Sequence, residues 1–136
     1  MPMAVAPIPN VRQVVDYAIT RIPVSKIDLG IPNYGYDWPL PYVRGETKAT
    51  TIGNLEAVQI AIDNNAAIQF DPVAMSPWFT YERDGIQHEV WFEDIRSFQA
   101  KFDLIKEYNL RGAGFWQLMR PFLPGWLLMS GNFWIK

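Results

Sequence analysis

KIDLGIPNYGYDW, residues 26–38, is the stretch that decides the fold of this 136-residue chain. Its first half is a short apolar run without charge after Asp28, which predicts a strand buried on both faces, as in a parallel sheet. Its second half crowds polar and aromatic residues around Gly35, namely Asn33, Tyr34, Tyr36, Asp37 and Trp38. Because ligands bind at the carboxyl ends of strands in α/β sheets and barrels, this stretch predicts a binding site.

Helix and strand signals on either side of this stretch predict a βαβ unit. Apolar residues recur at helical spacing from Asn10, a candidate N-cap, to Ile22. A second helix is predicted from Asp94, its cap, to Asn109, its end. A glycine-rich apolar strand is predicted to follow at residues 110–118. Two parallel strands linked by a helix form such a unit, with a right-handed crossover expected.

The middle of the chain predicts a small inserted α+β unit. A proline-rich stretch at residues 39–42 is followed by a polar loop without periodicity at residues 44–50, and a short helix is predicted to begin at Gly53 or Asn54. A brief strand is predicted at residues 67–70. Asp84-Gly85, between apolar runs at 78–81 and 87–92, is a strong hairpin signal. Trp126 to Met129 forms a short closing segment.

Composition narrows the class of protein. Hydrophobic residues make up 49% of the chain and charged residues 19%, as in one folded domain. The six tryptophans indicate either ring stacking on a ligand or a large aromatic core, and the core reading is favoured. The net charge is -2 without a basic stripe, so no nucleic-acid partner is expected. No cysteine is present, no membrane span is predicted, and residues 1–9 do not form a predicted signal peptide.

Few residues have the spacing of a catalytic or metal site. His88 is the single histidine and is expected to be a surface or packing residue rather than a ligand. Glu93 and Asp94 are adjacent carboxylates that favour a helix N-terminus over catalysis. No P-loop, dinucleotide fingerprint or serine-protease spacing occurs, and neither a metal nor a cofactor is expected.

A family resemblance extends this reading. Four segments carry it: Gly30 to Trp38, Gln69-Phe70-Asp71, Trp91 to Asp94 with Ser97 and Lys101, and Arg111 to Trp116. In these segments the chain resembles the C-terminal third of family-18 glycoside hydrolases, most closely the bacterial spore-germination and cortex-lytic branch.

The resemblance implies an α/β fold, the C-terminal fragment of a (β/α)8 TIM barrel. Residues 26–34 would be strand seven and 111–116 strand eight, with helix six at 10–22. Residues 1–136 would then be a partial family-18 barrel. Residues 39–92 would form an α+β insertion subdomain that walls one side of the sugar groove.

The resemblance also implies a chemistry. Family members are retaining enzymes in which one Glu protonates the leaving oxygen and the acetamido carbonyl of the substrate attacks the anomeric carbon. That Glu ends an Asp-x-x-Asp-x-Asp-x-Glu motif, which this sequence lacks. The expectation is that the chain contains no catalytic residue and is inactive alone.

The substrate-binding residues implied by the resemblance cluster near the two barrel strands. Trp116 would form the aromatic floor beneath the cleaved sugar, with plain core packing as the alternative. Tyr34 and Tyr36 match groove residues of strand seven. Asp37 and Trp38 are weaker candidates for the rim of the groove, and for Trp38 packing and binding are equally expected.

The implied partner is an N-acetylglucosamine-containing polysaccharide, with peptidoglycan of the spore cortex ahead of chitin. A second implied partner is the missing N-terminal part of the barrel, or another copy of the chain. The resemblance suggests the bacterial cell envelope, the spore or secretion as the location. Gly53 departs from the Ser expected at that helix cap, and Leu123 to Gly125 depart from the family pattern. The alternative function is a non-catalytic glycan-binding or structural module.

Overall fold

The computed structural model describes residues 1–117 and 119–134 and arranges them as an α/β fold with two sheets. The helices within these residues are α1 (Ile8–Ile19), α2 (Asn54–Asp63), α3 (Ile95–Tyr108) and α4 (Leu123–Asn132), with a 3-10 turn at Val24–Lys26. The strands are β1 (Asp28–Pro32), β2 (Gly35–Pro39), β3 (Thr50–Ile52), β4 (Gln69–Asp71), β5 (Ser76–Arg83), β6 (Ile86–Trp91) and β7 (Gly112–Trp116). No helix in the described ranges is long and apolar enough to cross a membrane.

The two-stranded sheet consists of β1 and β7. Its strands are parallel and in register from Asp28 opposite Gly112 to Pro32 opposite Trp116, which confirms the predicted parallel pair. An ion pair between Arg111 and Asp28 fastens the amino ends of the strands together. Helices α1, α3 and α4 pack against this sheet around a core of Val15, Ile31, Phe98, Phe102, Ile105, Leu110 and Phe122.

The predicted burial of β1 on both faces is wrong. Asp28 and Gly30 are exposed, Leu29 is half-buried, and Ile31 is fully buried. The reason is that, among the described residues, β1 pairs with β7 alone, and the first core covers one face of the pair. The strand is also shorter than the predicted residues 26–34.

The five-stranded sheet is antiparallel throughout, with strand order β3-β2-β6-β5-β4. The predicted hairpin at Asp84-Gly85 is confirmed, and both residues have positive φ, as a tight hairpin turn requires. Helix α2 packs on one face around a second core, formed by Ile52, Ala57, Ala61, Phe79, Tyr81, Val90 and Phe92.

Strands β2 and β3 are not predicted by the sequence patterns. The buried face of β2 carries Gly35 and Asp37, while its aromatic residues lie on the other face, so its polarity pattern is inverted. Gly35 is required because a Cβ atom there would lie 2.5 Å from the carbonyl oxygen of Trp91. The strand predicted at 67–70 is observed at Gln69–Asp71, so it begins two residues later and ends one residue later.

The observed ends of the helices agree only in part with the ends predicted from the sequence. Helix α1 begins at Ile8 with Pro7 at the N-cap, so the predicted cap at Asn10 is wrong. Proline is tolerated in the first helical turn, where its missing N–H has no intrahelical partner. Helix α3 is capped by Asp94 and ends at Asn109, which has a left-handed φ of 52°, and both predictions are confirmed. Leu118, the predicted end of the last strand, lies outside the described residues.

Candidate functional site

Trp116 and Tyr34 meet at the carboxyl end of the two-stranded sheet. Trp116 ends β7 opposite Pro32, and Tyr34 follows β1 by two residues. The backbone N–H of Asn33 donates to the carbonyl oxygen of Trp116 over 2.6 Å, which fixes the two strand ends together. Trp116 is 69% exposed, which is unusually high for a residue with so large an apolar side chain.

These strand ends border a cavity of about 310 Å³. Its lining is largely apolar and consists of Val5, Ala6, Gly30, Pro32, Tyr34 and Trp116. The sequence prediction placed Trp116 and Tyr34 in one site, and the structure brings them to one cavity. Partial burial raises the pKa of Tyr34. Its hydroxyl, like that of an ordinary tyrosine, is a neutral hydrogen-bonding group at physiological pH.

An aromatic row continues from the cavity along β2. The ring centroids of Tyr34 and Tyr36 are 5.6 Å apart, and those of Tyr36 and Trp38 are 6.0 Å apart, both edge to face. Trp38 is also edge-on to Tyr42, and its Nε1 is buried without a hydrogen-bond partner among the described residues. The structure thus places Tyr34 in contact with Tyr36 and Tyr36 in contact with Trp38. The indole N–H of Trp38 is buried and does not face solvent.

Asp37 does not share this surface. Side chains alternate along a strand, so Asp37 lies on the opposite face of β2 and is only 4% exposed. Its Oδ2 accepts from the Tyr81 hydroxyl over 2.6 Å, and its Oδ1 lies 2.8 Å from Nδ1 of His88. Burial and the Asp37 carboxylate raise the pKa of Tyr81. The predicted rim position of Asp37 is therefore corrected, because both oxygens are used inside the second core.

A buried polar network lies between the two sheets and was missed by the sequence reading. Nζ of Lys101 donates to Oε2 of Glu93 over 2.8 Å, and both side chains are at most 1% exposed. The Glu93 backbone N–H donates to Asn54, whose amide donates to Asn33. The Asn33 amide in turn donates to the carbonyl oxygen of Arg120 over 2.6 Å. The network ties the segment after Trp116 to α2 and α3.

The chemistry of this network is structural. Complete burial raises the pKa of Glu93, against the opposing attraction of Lys101. Neither oxygen of Glu93 reaches the cavity lined by Trp116 and Tyr34. One sequence signal could have revealed the network, since Lys101 interrupts the apolar stripe of Phe98 and Phe102 on α3. In the described residues, no three His, Cys, Asp or Glu side chains are grouped as metal ligands.

Comparisons of the sequence give one family. The pattern of Glycosyl hydrolases family 18 matches residues 4–120. The Cortical fragment-lytic enzyme of Bacillus subtilis (strain 168) is 51% identical over 133 residues, which are 97% of this chain and 31% of that protein. The putative sporulation-specific glycosylase YdhD of the same organism is 44% identical over 129 residues, 93% of this chain and 30% of that protein.

Solved structures agree with the sequence comparison. The Bacillus megaterium QM B1551 spore cortex-lytic enzyme SleL matches with a TM-score of 0.96 and 50% identity, covering 100% of this chain and 32% of that one. A chitinase from Chromobacterium violaceum ATCC 12472 matches with a TM-score of 0.86 and 29% identity, covering 96% and 40%. The chain spans about a third of the length of the curated relatives it matches.

Proposed function

The chain belongs to glycosyl hydrolases family 18, and from this premise we propose that it forms the C-terminal part of a groove for N-acetylglucosamine polymers. One observation carries the proposal: two adjacent parallel strands end at a cavity shared by Trp116 and Tyr34. A flat, exposed indole suits the apolar C–H face of a sugar ring, and a nearby hydroxyl suits the polar edge of that ring.

The proposed roles follow the geometry of the cavity. Trp116 is the floor beneath a sugar unit, since its ring is exposed at the end of β7. Tyr34 and Tyr36 form the adjoining wall and offer hydroxyl groups to the glycan. Trp38 supports Tyr36 edge to face and borders the groove. Asp37 has no role in the groove, because it lies on the opposite face of β2 and bonds to Tyr81 and His88.

We propose that β1 and β7 are strands seven and eight of a (β/α)8 barrel, with residues 39–92 as the insertion that walls the groove, joined by β2, which pairs with β3 and β6 of the same sheet. The outer edge of β1 has no strand partner among the described residues. Beside this edge lies an apolar cavity of about 470 Å³ between α1 and β1, which includes Val14, Ile27 and Leu29 in its lining. An unpaired edge beside an apolar cavity supports an N-terminal barrel portion, or a second copy of the chain, as the partner.

The reaction proposed for the assembled groove is substrate-assisted retaining hydrolysis, in which the acetamido oxygen of the sugar attacks its own anomeric carbon. The general acid for this step is not supplied by Glu93, which is fully buried and paired with Lys101. Asp94 is also engaged, because its carboxylate caps α3 through the N–H groups of Arg96 and Ser97. The chain by itself is therefore proposed to bind the glycan without cleaving it.

Among N-acetylglucosamine polymers, peptidoglycan of the spore cortex is proposed ahead of chitin. The support comes from two relatives that are named cortical fragment-lytic enzyme. The one from Bacillus subtilis is 51% identical to this chain, and the one from Bacillus cereus is 43% identical. Chitin comes second because chitinases are among the structural matches at lower identity.

The test is a binding titration of the chain with N-acetylglucosamine tetramer and with purified cortex fragments. Trp116→Ala should weaken binding about tenfold, corresponding to ~1.4 kcal/mol. The matched control is Trp134→Ala, which removes a tryptophan that is 98% exposed and outside the cavity.

Equal affinity of Trp116→Ala and the parent chain would refute the proposed sugar floor. A chromogenic N-acetylglucosamine oligomer tests the absence of cleavage, since loss of a general acid costs ~10² to 10⁴ in rate. Dose-dependent product release by the pure chain would refute that part of the proposal. Binding without cleavage even after the N-terminal barrel portion is added would instead favour a non-catalytic glycan-binding module.

A further inference from the structure

Asn33 lies where the end of β1 meets the segment that follows β7. It is only 3% exposed and comes directly after Pro32, the last residue of β1. Its backbone N–H donates to the carbonyl oxygen of Trp116 over 2.6 Å, and its side-chain Nδ2 donates to the carbonyl oxygen of Arg120 over 2.6 Å. Asn33 therefore holds both ends of the stretch 116–120, which begins with the exposed tryptophan.

Asn54 fixes the direction of the Asn33 amide. Nδ2 of Asn54 donates to Oδ1 of Asn33 over 3.1 Å, and Oδ1 of Asn54 accepts from the backbone N–H of Glu93 over 3.0 Å. Both asparagine side chains are buried. Rotating the Asn33 amide by half a turn would place its nitrogen against the Asn54 nitrogen and its oxygen against the Arg120 carbonyl, which loses both hydrogen bonds. The amide nitrogen of Asn33 is thus directed at Arg120.

Other contacts of the stretch 116–120 are weaker than those of Asn33. Nη2 of Arg120 donates to the carbonyl oxygen of Thr51 over a long 3.3 Å. Nη1 of Arg120 lies 3.7 Å from Oε2 of Glu56, and ion pairs with so exposed a carboxylate contribute little. A buried donor or acceptor that loses its partner is far more costly. Among these contacts, the short buried hydrogen bonds of Asn33 hold the stretch most firmly.

The ring of Trp116 depends on the backbone that carries it. The residue is 69% exposed, and β7, which it ends, pairs with β1 alone among the described residues. The rotamers open to a side chain depend on the backbone dihedral angles of its residue, so the direction of the ring over the cavity follows the backbone of Trp116. Asn33 holds that backbone but does not itself line the cavity.

We propose that Asn33 is a positioning residue for the sugar-binding ring of Trp116. By holding the carbonyl groups of Trp116 and Arg120, it fixes the backbone from which the indole projects over the cavity. The inference rests on the proposed function and deepens it, since it adds to the groove a buried residue that acts through Trp116 rather than on the glycan. The consequence is that a change at Asn33 weakens glycan binding only while Trp116 is present.

The test is a double-mutant cycle in which N-acetylglucosamine tetramer is titrated into the parent chain, Asn33→Asp, Trp116→Ala and the double variant. Asn33→Asp keeps an oxygen that accepts from Asn54 and replaces the donor to Arg120 by a second oxygen. Binding should weaken about fivefold in Asn33→Asp at matched folded fraction, a coupling typical of residues that share a hydrogen bond. In the Trp116→Ala background the same change should leave the affinity unaltered, because the ring through which Asn33 acts is gone.

The cycle separates positioning from a general effect on the fold. Equal affinity of Asn33→Asp and the parent chain, or the same loss in both backgrounds, would overturn the proposal. The matched control is Asn64→Asp, which removes an amide donor to the carbonyl oxygen of Ile60, 2.8 Å away at the exposed end of α2, and should bind like the parent. Asn33→Ser removes the donor without adding a charge and should repeat the result, also if Asn33→Asp does not fold.

A measurement without ligand keeps this proposal distinct from the proposed function. The heteronuclear Overhauser effect of the Trp116 indole N–H, identified by its loss in Trp116→Ala, should fall in both Asn33 variants as the ring moves faster. The Trp126 indole, which packs 4.9 Å from the Phe115 ring, should keep its value. An unchanged Trp116 value overturns the proposal. Absence of tetramer binding by the parent would instead refute the proposed function, and the indole signal would still decide whether Asn33 positions Trp116.

Discussion

The two sheets differ in how completely their apolar faces and strand edges are covered. The five-stranded sheet has α2 on one face and a closed core with Phe79, Val90 and Ala57 at 0% exposure. The two-stranded sheet has an unpaired edge at β1. Beside it, Val14 and Tyr17 on α1 are each 67% exposed. The difference is that the antiparallel part covers its own core, while the parallel part leaves a strand edge and large apolar side chains exposed.

The border between the two sheets is polar rather than apolar. Glu93 follows β6, Lys101 lies on α3, and their buried ion pair connects the end of one sheet to the helix that covers the other. Asn33 and Asn54 extend this border toward the segment after Trp116. A substitution within one core and a substitution at this polar border should therefore lower amide protection in different parts of the chain.

The largest effect is expected from Phe98→Ala in the core of the two-stranded sheet. Phe98 is 0% exposed, and its ring lies 5.3 Å from that of Phe115 and 5.7 Å from that of Phe122. Removing it leaves a cavity where β7, α3 and α4 meet. The free energy of unfolding should fall by about 4 kcal/mol, measured by urea denaturation.

Hydrogen exchange on the same variant tests the division into two regions. The amides of β5 and β6 should remain protected in Phe98→Ala, because the second core does not contain Phe98. Phe79→Ala is the matched change in the other core and should expose β5 and β6 first. Loss of protection in both sheets together in Phe98→Ala would show that they unfold as one unit.

Next in size is Lys101→Met at the border. Methionine keeps most of the buried volume and removes the charge, which leaves Glu93 without its partner. The free energy of unfolding at pH 7 should fall by about 3 kcal/mol, near the lower end of the cost of breaking a buried ion pair. The amides of both sheets should lose protection against hydrogen exchange, because the Lys101–Glu93 ion pair connects the end of β6 to α3.

The pH dependence of Lys101→Met has a definite sign. Burial raises the pKa of Glu93 above its usual 4.5 in the folded chain. Stability from such a group is present below the unfolded pKa and is lost as pH rises through the folded pKa. Loss of Lys101 raises the pKa of Glu93 further, so the destabilisation should be larger at pH 8 than at pH 5. Adding Glu93→Gln should remove this dependence, and an equal loss at both pH values would contradict the prediction.

A smaller and more local effect is expected from Tyr81→Phe. The change removes the donor to Oδ2 of Asp37, a hydrogen bond of 2.6 Å inside the second core. Hydrogen bonds to charged groups are typically worth 1.5–3 kcal/mol, so the free energy of unfolding should fall by about 2 kcal/mol. Thr80→Val on the exposed face of the same strand is the control. Lost protection in β1 and β7 would show that this hydrogen bond reaches beyond the five-stranded sheet.

The parts of the fold that follow local rules were predictable from the sequence. The Asp84-Gly85 hairpin and the capped ends of α3 each depend on residues within a few positions of one another, and the parallel pairing of β1 with β7 follows from the helix predicted between the two strands. Strand β2 was not predictable in the same way, because its buried face carries Gly35 and Asp37. Only the long-range partners of Asp37, Tyr81 and His88, make that burial favourable.

The candidate site shows the same limit. The family resemblance selected Trp116 and Tyr34, and the structure brings both to one cavity. The pairing of Trp78 with Trp91 follows from the register of the predicted Asp84-Gly85 hairpin. The network of Asn33 and Asn54 depends instead on contacts across 21 residues. No local pattern encodes that network.

The smallest expected effect is a gain, from Gly53→Ser at the start of α2. Helix α3 has Asp94, whose carboxylate accepts from two backbone N–H groups, whereas Gly53 offers no side-chain acceptor to α2. The backbone of Gly53, with φ of -75° and ψ of 156°, suits serine, and a Cβ atom would meet its nearest neighbour, Nη1 of Arg120, at an ordinary 3.7 Å. Serine should therefore raise the free energy of unfolding by a few tenths of a kcal/mol.

The control for this change is Gly53→Ala, which adds the Cβ atom without an acceptor and should lower stability relative to the parent. The measurement is paired thermal unfolding of the parent and the two variants under one set of conditions. The gain should protect the amides of α2 and leave those of β1 and β7 unchanged, because α2 belongs to the second core. Equal stability of the serine and alanine variants would show that the serine hydroxyl does not cap α2, because the carboxylate of Glu56 accepts only from the N–H of Gly53 itself, over 3.2 Å.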